Sequence, residues 1–270
     1  MYKLIALDMD GTLLTSDKKI SEKNKKAIKA AEEKGVKVVL TSGRPSDGLT
    51  RYLKELDLLK EEDYVLSFNG GVAQNAKSGK VISKIAIKGS DLKYLSKIAN
   101  ECGINIHAFS STKGLITPKT NKYTDYEAEM NEINVNIADF NSIDDDEDII
   151  KVMMIDPEPI LEEAIKKLPK EVYEKYTVLR SAPYFLEFMN KEVDKGLGLK
   201  KLAETLGIKQ EEVIAMGDAG NDLSMVEYAG LGVAMGNAFP EVKEIANFIT
   251  KSNDEDGVAY AIEKFVLSEK

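Results

Sequence analysis

Two aspartates two residues apart, Asp8 and Asp10, stand between the apolar run Leu4-Ile5-Ala6-Leu7 and the pair Gly11-Thr12. On an extended backbone, side chains at i and i+2 project to the same side, so both carboxylates face one way and Met9 the other. Carboxylates held that close repel each other unless a proton or a cation intervenes. A second acidic pair, Asp218 and Asp222, lies in Gly217-Asp218-Ala219-Gly220-Asn221-Asp222, directly after the apolar run Val213-Ile214-Ala215-Met216. Brought together, the two pairs call for a hard cation such as Mg²⁺, bound by carboxylates and completed by waters and a substrate phosphate. Other chemistries are poorly supplied. The chain has one His (His107), one Cys (Cys102) and no Trp. It can form neither an internal disulfide nor a Cys/His zinc cluster, and a Ser-His or Cys-His mechanism would run through His107 alone.

The elements that must position these residues are readable around them. Leu4–Leu7, Val36–Leu40 and Val65–Phe68 are compact apolar runs of buried-strand type. Between them, Ser21 reads as an N-cap for a helix with Ala27, Ile28 and Ala31 on one face, ending at Gly35. Pro45 reads as the first position of a second helix, running to about Leu56. This rhythm predicts an α/β fold with a parallel sheet and right-handed crossovers. After Val193 the rhythm resumes: a helical stripe of Leu199, Leu202, Ala203 and Leu206, the Val213–Met216 strand, and helices over Ser224–Ala229, Glu241–Ala246 and Gly257–Phe265. The middle differs. Ile104–Ser110, Gly114–Pro118, Lys151–Ile155, Tyr176–Arg180 and Tyr184–Met189 alternate in the manner of half-buried antiparallel strands. Helical stripes there fall on Leu92, Leu95 and Ala99, and on Leu161, Ala164, Ile165 and Leu168. The organisation expected is a discontinuous core, residues 1–83 and 190–270, interrupted by an α+β domain at 84–189. In an open parallel sheet, ligands bind beyond the carboxyl ends of the strands. The Asp8, Thr41-Ser42-Gly43-Arg44 and Asp218 segments all fall there.

Taken together, Asp8-Met9-Asp10-Gly11-Thr12, Thr41-Ser42-Gly43-Arg44, Lys195 and Gly217–Asp222 resemble the four signature motifs of the haloacid dehalogenase (HAD) superfamily, closest to its Cof-type sugar-phosphatase branch. The resemblance covers the whole chain, and Asn69-Gly70 matches a further Cof-type feature. It implies a doubly wound parallel-sheet core with an inserted C2-type cap. It also implies a Mg²⁺-dependent phosphatase acting on small phosphorylated metabolites, sugar phosphates first among them, through an aspartyl-phosphate. Asp8 would be the nucleophile and Asp10 the acid and base. Asp8, Asp10 (through its backbone carbonyl), Asp218 and Asp222 would form the metal shell. Met9, Thr41, Ser42, Gly43, Lys195 and Asn221 would hold phosphate, with Thr41 and Ser42 as alternative hydroxyls and Asn221 orienting Lys195 or touching phosphate. Arg44 and Asn69 would contact substrate.

The composition agrees with this reading. Of 270 residues, 37 are Lys or Arg and 46 are Asp or Glu, a formal charge of −9. An acidic chain is a poor match for nucleic acid or an anionic membrane. The N-terminus shows neither a signal-peptide pattern nor a spanning apolar run, so a cytoplasmic protein is expected. The acidic run Asp144–Asp148 reads as a solvated loop, His107 and Cys102 as structural, and Gly236-Asn237-Ala238 as a structural turn. Two alternatives stand beside the phosphatase: a phosphomutase of the same superfamily, and a phosphoaspartate signalling module. Receiver-type signalling modules are far shorter and lack a large insertion.

Overall fold

The computed structural model describes residues 1–268. In chain order its elements are β1 (Leu4–Asp8), α1 (Glu22–Glu33), β2 (Lys37–Thr41), α2 (Thr50–Glu55), β3 (Tyr64–Ser67), β4 (Val72–Asn75) and β5 (Val81–Lys84). Next come β6 (Ile87–Lys88), α3 (Gly89–Cys102), β7 (Asn105–Ser110), β8 (Gly114–Thr117), α4 (Lys122–Asn131), β9 (Val135–Ile137), β10 (Asp148–Ile155), α5 (Glu158–Ile165), α6 (Lys170–Lys175), β11 (Tyr176–Ala182) and β12 (Phe185–Asn190). The chain closes with α7 (Lys195–Thr205), β13 (Val213–Gly217), α8 (Leu223–Tyr228), β14 (Leu231–Ala234), α9 (Pro240–Ile245), β15 (Phe248–Ile249) and α10 (Gly257–Ile262). Two compact units result: Met1–Lys84 with the chain from Asp194 onward, and Ile85–Val193. The second seam falls at Val193/Asp194, four residues beyond the 189/190 boundary read from the sequence.

The first unit is built on a sheet of order β15-β14-β13-β1-β2-β3-β4-β5. From β15 to β3 every pairing is parallel, and β4 and β5 add an antiparallel hairpin at one edge. Its central strands, Leu4-Ile5-Ala6-Leu7-Asp8 and Val213-Ile214-Ala215-Met216-Gly217, are buried along their whole length, as strands covered on both faces require. Each fully buried Leu or Ile contributes about 1.5–3 kcal/mol over an exposed one. From β1 the chain winds outward to β2 and β3 on one side, and from β13 to β14 and β15 on the other. The winding therefore reverses between β1 and β13, the place where such sheets open a crevice. The register sets Leu7 opposite Met216 and Asp8 opposite Thr41.

Local signals explain most element ends. The Ser21 hydroxyl accepts from the Asn24 N–H at 3.1 Å, capping α1 as read, a contact worth about 1 kcal/mol. Gly207, at φ +67°, ends the turn after α7. The Pro45 helix is a correction: a single 3₁₀ turn, Asp47–Leu49, comes first and α2 begins only at Thr50. Gly48 sits inside that turn, and glycine disfavours a regular helix by about 1 kcal/mol. The helix expected over Gly257–Phe265 is α10 as far as Ile262, followed by a wider π turn over Glu263–Leu267.

The inserted unit carries a sheet of order β11-β12-β10-β7-β8-β9, with β6 also on β10. All its pairings are antiparallel except β8 with β9. Its apolar core joins Ile106, Ala108, Val152, Met154, Leu186 and Phe188 of the sheet to Leu92, Leu95, Ile98 and Ala99 of α3 and to Leu161 and Ala164 of α5. Cys102 packs at the margin of this core, partly buried. His107 is fully buried between the Thr124 hydroxyl (3.2 Å) and the Met153 sulfur (3.1 Å). Among the described residues no helix is long and apolar enough to cross a membrane.

Candidate active site

The site forms at the carboxyl ends of β1, β2 and β13. Asp8 is the last residue of β1 and 7% exposed. Lys195, at the start of α7, is 1% exposed and donates to Asp8 Oδ1 and to Asp222 Oδ1, each at 2.6 Å. The other Asp222 oxygen accepts the backbone N–H groups of Asp218 (2.9 Å) and Ala219 (3.0 Å), closing the loop after β13. Asp218 Oδ1 accepts from the Thr12 hydroxyl at 2.8 Å. Gly11, at φ +86°, is obligatory here, because a Cβ would lie 2.3 Å from Asp218 Oδ2.

Asp8, Asp218 and Asp222 are all buried, each offering an oxygen within 4.8 Å of the others. One ammonium faces three carboxylates, and titration reflects the surplus. Burial, with Asp222 and Asp218 nearby, pushes the Asp8 carboxyl up to about 8 despite Lys195. Burial and Asp222 raise Asp218 as well. Burial disfavours the charged Lys195, yet Asp8 and Asp222 outweigh it and hold the ammonium above its usual range. A buried, all-oxygen donor set with excess negative charge fits Mg²⁺. Asp222 is the least free of the three, since Lys195 and two amides already engage both its oxygens.

Asp10 stands apart from this cluster. Its side chain is 42% exposed and is held by Lys18 Nζ (2.7 Å) and by Arg44 Nη2, 2.8 Å from one carboxylate oxygen and 3.1 Å from the other. Burial works to raise the Asp10 carboxyl, but Lys18 and Arg44 bring it below the ordinary carboxylate range. The Asp10 carboxylate is thus already engaged by two cations. Met9 is fully buried in the apolar core, leaving only its backbone for an anion. The Thr41 hydroxyl is fully buried, 3.5 Å from the Met225 sulfur. Ser42 is 4% exposed and its hydroxyl accepts from the Arg44 N–H at 3.2 Å.

Asn221 is exposed and donates to the side-chain oxygen of Asn69 at 3.1 Å; Lys195 is oriented by Asp8 and Asp222 instead. Asn69 lies in an unusual turn: Phe68 (φ 51°), Asn69 (φ 55°) and Gly70 (φ 82°) are all left-handed. That conformation costs a non-glycine residue roughly 1–2 kcal/mol, with Asn the most tolerant. Gly70 pays nothing, and a Cβ there would fall 2.5 Å from Asp194 O and 3.0 Å from Lys195 Cα. Asn237 proves structural: it donates to Gly11 O (2.8 Å) and accepts from the Asn253 N–H (3.0 Å). Lys18 escaped the sequence reading. It sits at φ 59° in a tight turn where its amide donates to Thr15 O, and only the pairing with Asp10 marks it out.

A family model for haloacid dehalogenase-like hydrolases matches residues 5–262. The chain is 45% identical to the putative phosphatase YxeH of Bacillus subtilis, over 99% of this chain and 100% of that one. It is 35% identical to YcsE of the same organism, a 5-amino-6-(5-phospho-D-ribitylamino)uracil phosphatase, over 98% and 96% of the two chains. The crystal structure of a haloacid dehalogenase-like hydrolase from Bacteroides thetaiotaomicron superimposes with a TM-score of 0.87 at 37% identity, covering 98% of this chain and 99% of that one.

Proposed function

The chain belongs to the haloacid dehalogenase-like hydrolases, in their Cof-type branch, and is a phosphatase; from that premise we propose that it hydrolyses phosphate monoesters of small polyhydroxylated metabolites through an aspartyl-phosphate on Asp8, with Mg²⁺ as cofactor. The observation that carries the reading is the buried triad of Asp8, Asp218 and Asp222 around Lys195, where negative charge exceeds positive. Asp8 and Asp218, with the carbonyl of Asp10, would hold the cation, and Asp222 would fix the loop and Lys195. Bound there, Mg²⁺ would neutralise charge between Asp8 and the incoming phosphate.

Asp8 is the nucleophile: one of its oxygens bonds to phosphorus as the bond from phosphorus to the ester oxygen breaks. The departing oxygen takes a proton from Asp10. In the second half-reaction Asp10 recovers a proton from water, and that water's oxygen displaces Asp8 from phosphorus. To serve as the acid, Asp10 must give up Arg44 and Lys18 and take up a proton from solvent before the ester oxygen departs. An arriving phosphate competes for those cations. Ser42, the backbone N–H of Gly43 and Lys195 would cradle the phosphoryl oxygens. Thr41 is the weaker candidate, since its hydroxyl faces Met225. The phosphorylated ribityl chain in the name of YcsE supports a polyol or sugar phosphate as substrate class.

Quenching turnover of a phosphate ester with borohydride tests this reading. It should reduce the phosphorylated Asp8 side chain, an acyl phosphate, to the alcohol of homoserine with loss of phosphate, detectable by peptide mass spectrometry. Turnover with Asp8 unmodified, or turnover that persists in EDTA, overturns it.

A further inference from the structure

We propose that Asn69 is a positioning residue for phosphate binding, acting through the Ser42–Gly43 peptide and through Asn221; this rests on the placing of the Gly43 N–H against the phosphate in the proposed function, and on the phosphate role that the family resemblance implies for Asn221. Three contacts converge on this residue. Its backbone N–H donates to the carbonyl of Ser42 at 2.9 Å. No peptide bond among the described residues is cis, and a trans peptide points its C=O and N–H in opposite directions. Anchoring Ser42 O on the Asn69 side therefore aims the Gly43 N–H away from the β3–β4 turn. The Asn69 amide also covers Gly43: a Cβ at position 43 would lie 3.2 Å from Asn69 Oδ1 and 3.3 Å from its Nδ2. Finally, Asn69 Oδ1 accepts from Asn221 Nδ2 at 3.1 Å, bridging to the loop after β13.

Neighbouring bonds brace the same turn. Phe68 N–H donates to Arg44 O (3.0 Å) and Ser42 N–H to Leu66 O (3.0 Å). Gly70 packs on the backbone of Asp194 and Lys195, and a Cβ on Gly198 of α7 would in turn fall 2.6 Å from Gly70 O. The left-handed conformation of Asn69 lets one residue send its N–H to the phosphate loop and its side chain to Asn221. Strained backbone at a site of this kind is usually retained for what it orients.

The test separates conformation from side chain. Asn69→Gly keeps the left-handed backbone and removes the amide, so its thermal unfolding midpoint should match the parent protein. Its affinity for inorganic phosphate in Mg²⁺, measured by calorimetry, should fall roughly tenfold. With p-nitrophenyl phosphate, KM should rise more than kcat falls. Asn221→Ala, an exposed substitution, should give a similar loss, and the double variant should lose no more than the worse single one. Wild-type phosphate affinity and KM in Asn69→Gly, or additive losses in the double variant, would overturn the proposal. Phosphate affinity is read without turnover, so the Asn69 series remains decisive if the hydrolytic mechanism fails.

Discussion

Among the described residues two lysines are buried, and they are surrounded differently. Lys195 faces two carboxylates at 2.6 Å, with a third in the same cluster. Lys151, in the inserted unit and 2% exposed, pairs with Glu187 at 3.2 Å, and the Ser181 hydroxyl donates to the same carboxylate at 2.7 Å. The Lys151–Glu187 pair carries no net charge. The Lys195 group carries an excess of two negative charges with every aspartate ionised. Burial of charge is common to both lysines; the imbalance belongs to the one at the site proposed above as the reactive centre. A surplus of buried carboxylates is a standing demand for a cation or a proton.

The comparison can be broken most decisively at Asp8. Asp8→Asn removes one of the surplus charges, so the protein should stay folded while phosphatase turnover falls by at least about 10⁴-fold. Residual activity near the parental rate would dissolve the distinction. The balanced pair should answer oppositely, in stability. Lys151→Met strands Glu187 and should cost about 3–5 kcal/mol in denaturant unfolding, whereas Lys151→Met with Glu187→Leu should recover most of it. If the double variant is worse than the single, the pair is not self-contained.

Mg²⁺ sharpens the contrast at smaller magnitude. At a hundredfold excess over its dissociation constant it should stabilise the protein by about 2.7 kcal/mol. The gain should be larger at pH 8 than at pH 5, because protons held by Asp8, with its carboxyl raised to about 8, compete with the cation at the lower pH. Scanning calorimetry of the parent and Asp8→Asn proteins measures this; an equal shift in both would place the ion elsewhere. A separate effect, confined to acid, belongs to His107, whose imidazole burial lowers to about 3, helped by the charge of Lys151. The folded state then binds fewer protons than the unfolded one between about pH 3 and 6.5. Stability attributable to His107 is present above pH 6.5 and is lost as pH falls, at up to about 1.4 kcal/mol per pH unit. In His107→Gln, unfolding free energies between pH 6 and 4 should fall less steeply than in the parent.

What the sequence discloses, and what it conceals, follows from range. β1, β2 and β13 are legible because strands covered on both faces read as unbroken apolar runs, and the acids follow directly at their ends. The β4–β5 hairpin is not: Val81-Ile82-Ser83-Lys84 is an exposed edge strand, and an edge need not be apolar. α4 is hidden likewise, since Lys122–Asn131 is mostly polar and its start is marked by the side chain of Asn121, which caps the N–H groups of Tyr123 and Thr124. At the site, spacing reveals which residues gather but not which atoms they spend. That Asp222 spends one oxygen on Lys195 and the other on the loop backbone, that Arg44 joins Lys18 on Asp10, and that Asn69 reaches Asn221 are consequences of the fold, the Lys195, Arg44 and Asn221 contacts being made across long separations.

The pairing of β1 with β13 also imposes an order in time. Leu4 lies opposite Val213, so the strand that bears Asp8 leaves the ribosome well before β13 and waits, with one flank unpaired, for a partner made after the inserted unit. The inserted unit ends at Val193 and has all its strands in hand before β13 is synthesised. Contacts close in sequence cost less to form than distant ones. During synthesis Asp8 therefore cannot meet Asp218, and the cluster cannot exist, until the chain has been made past Asp222. A truncated product carries Asp8 without the lysine and the acids that complete its cluster.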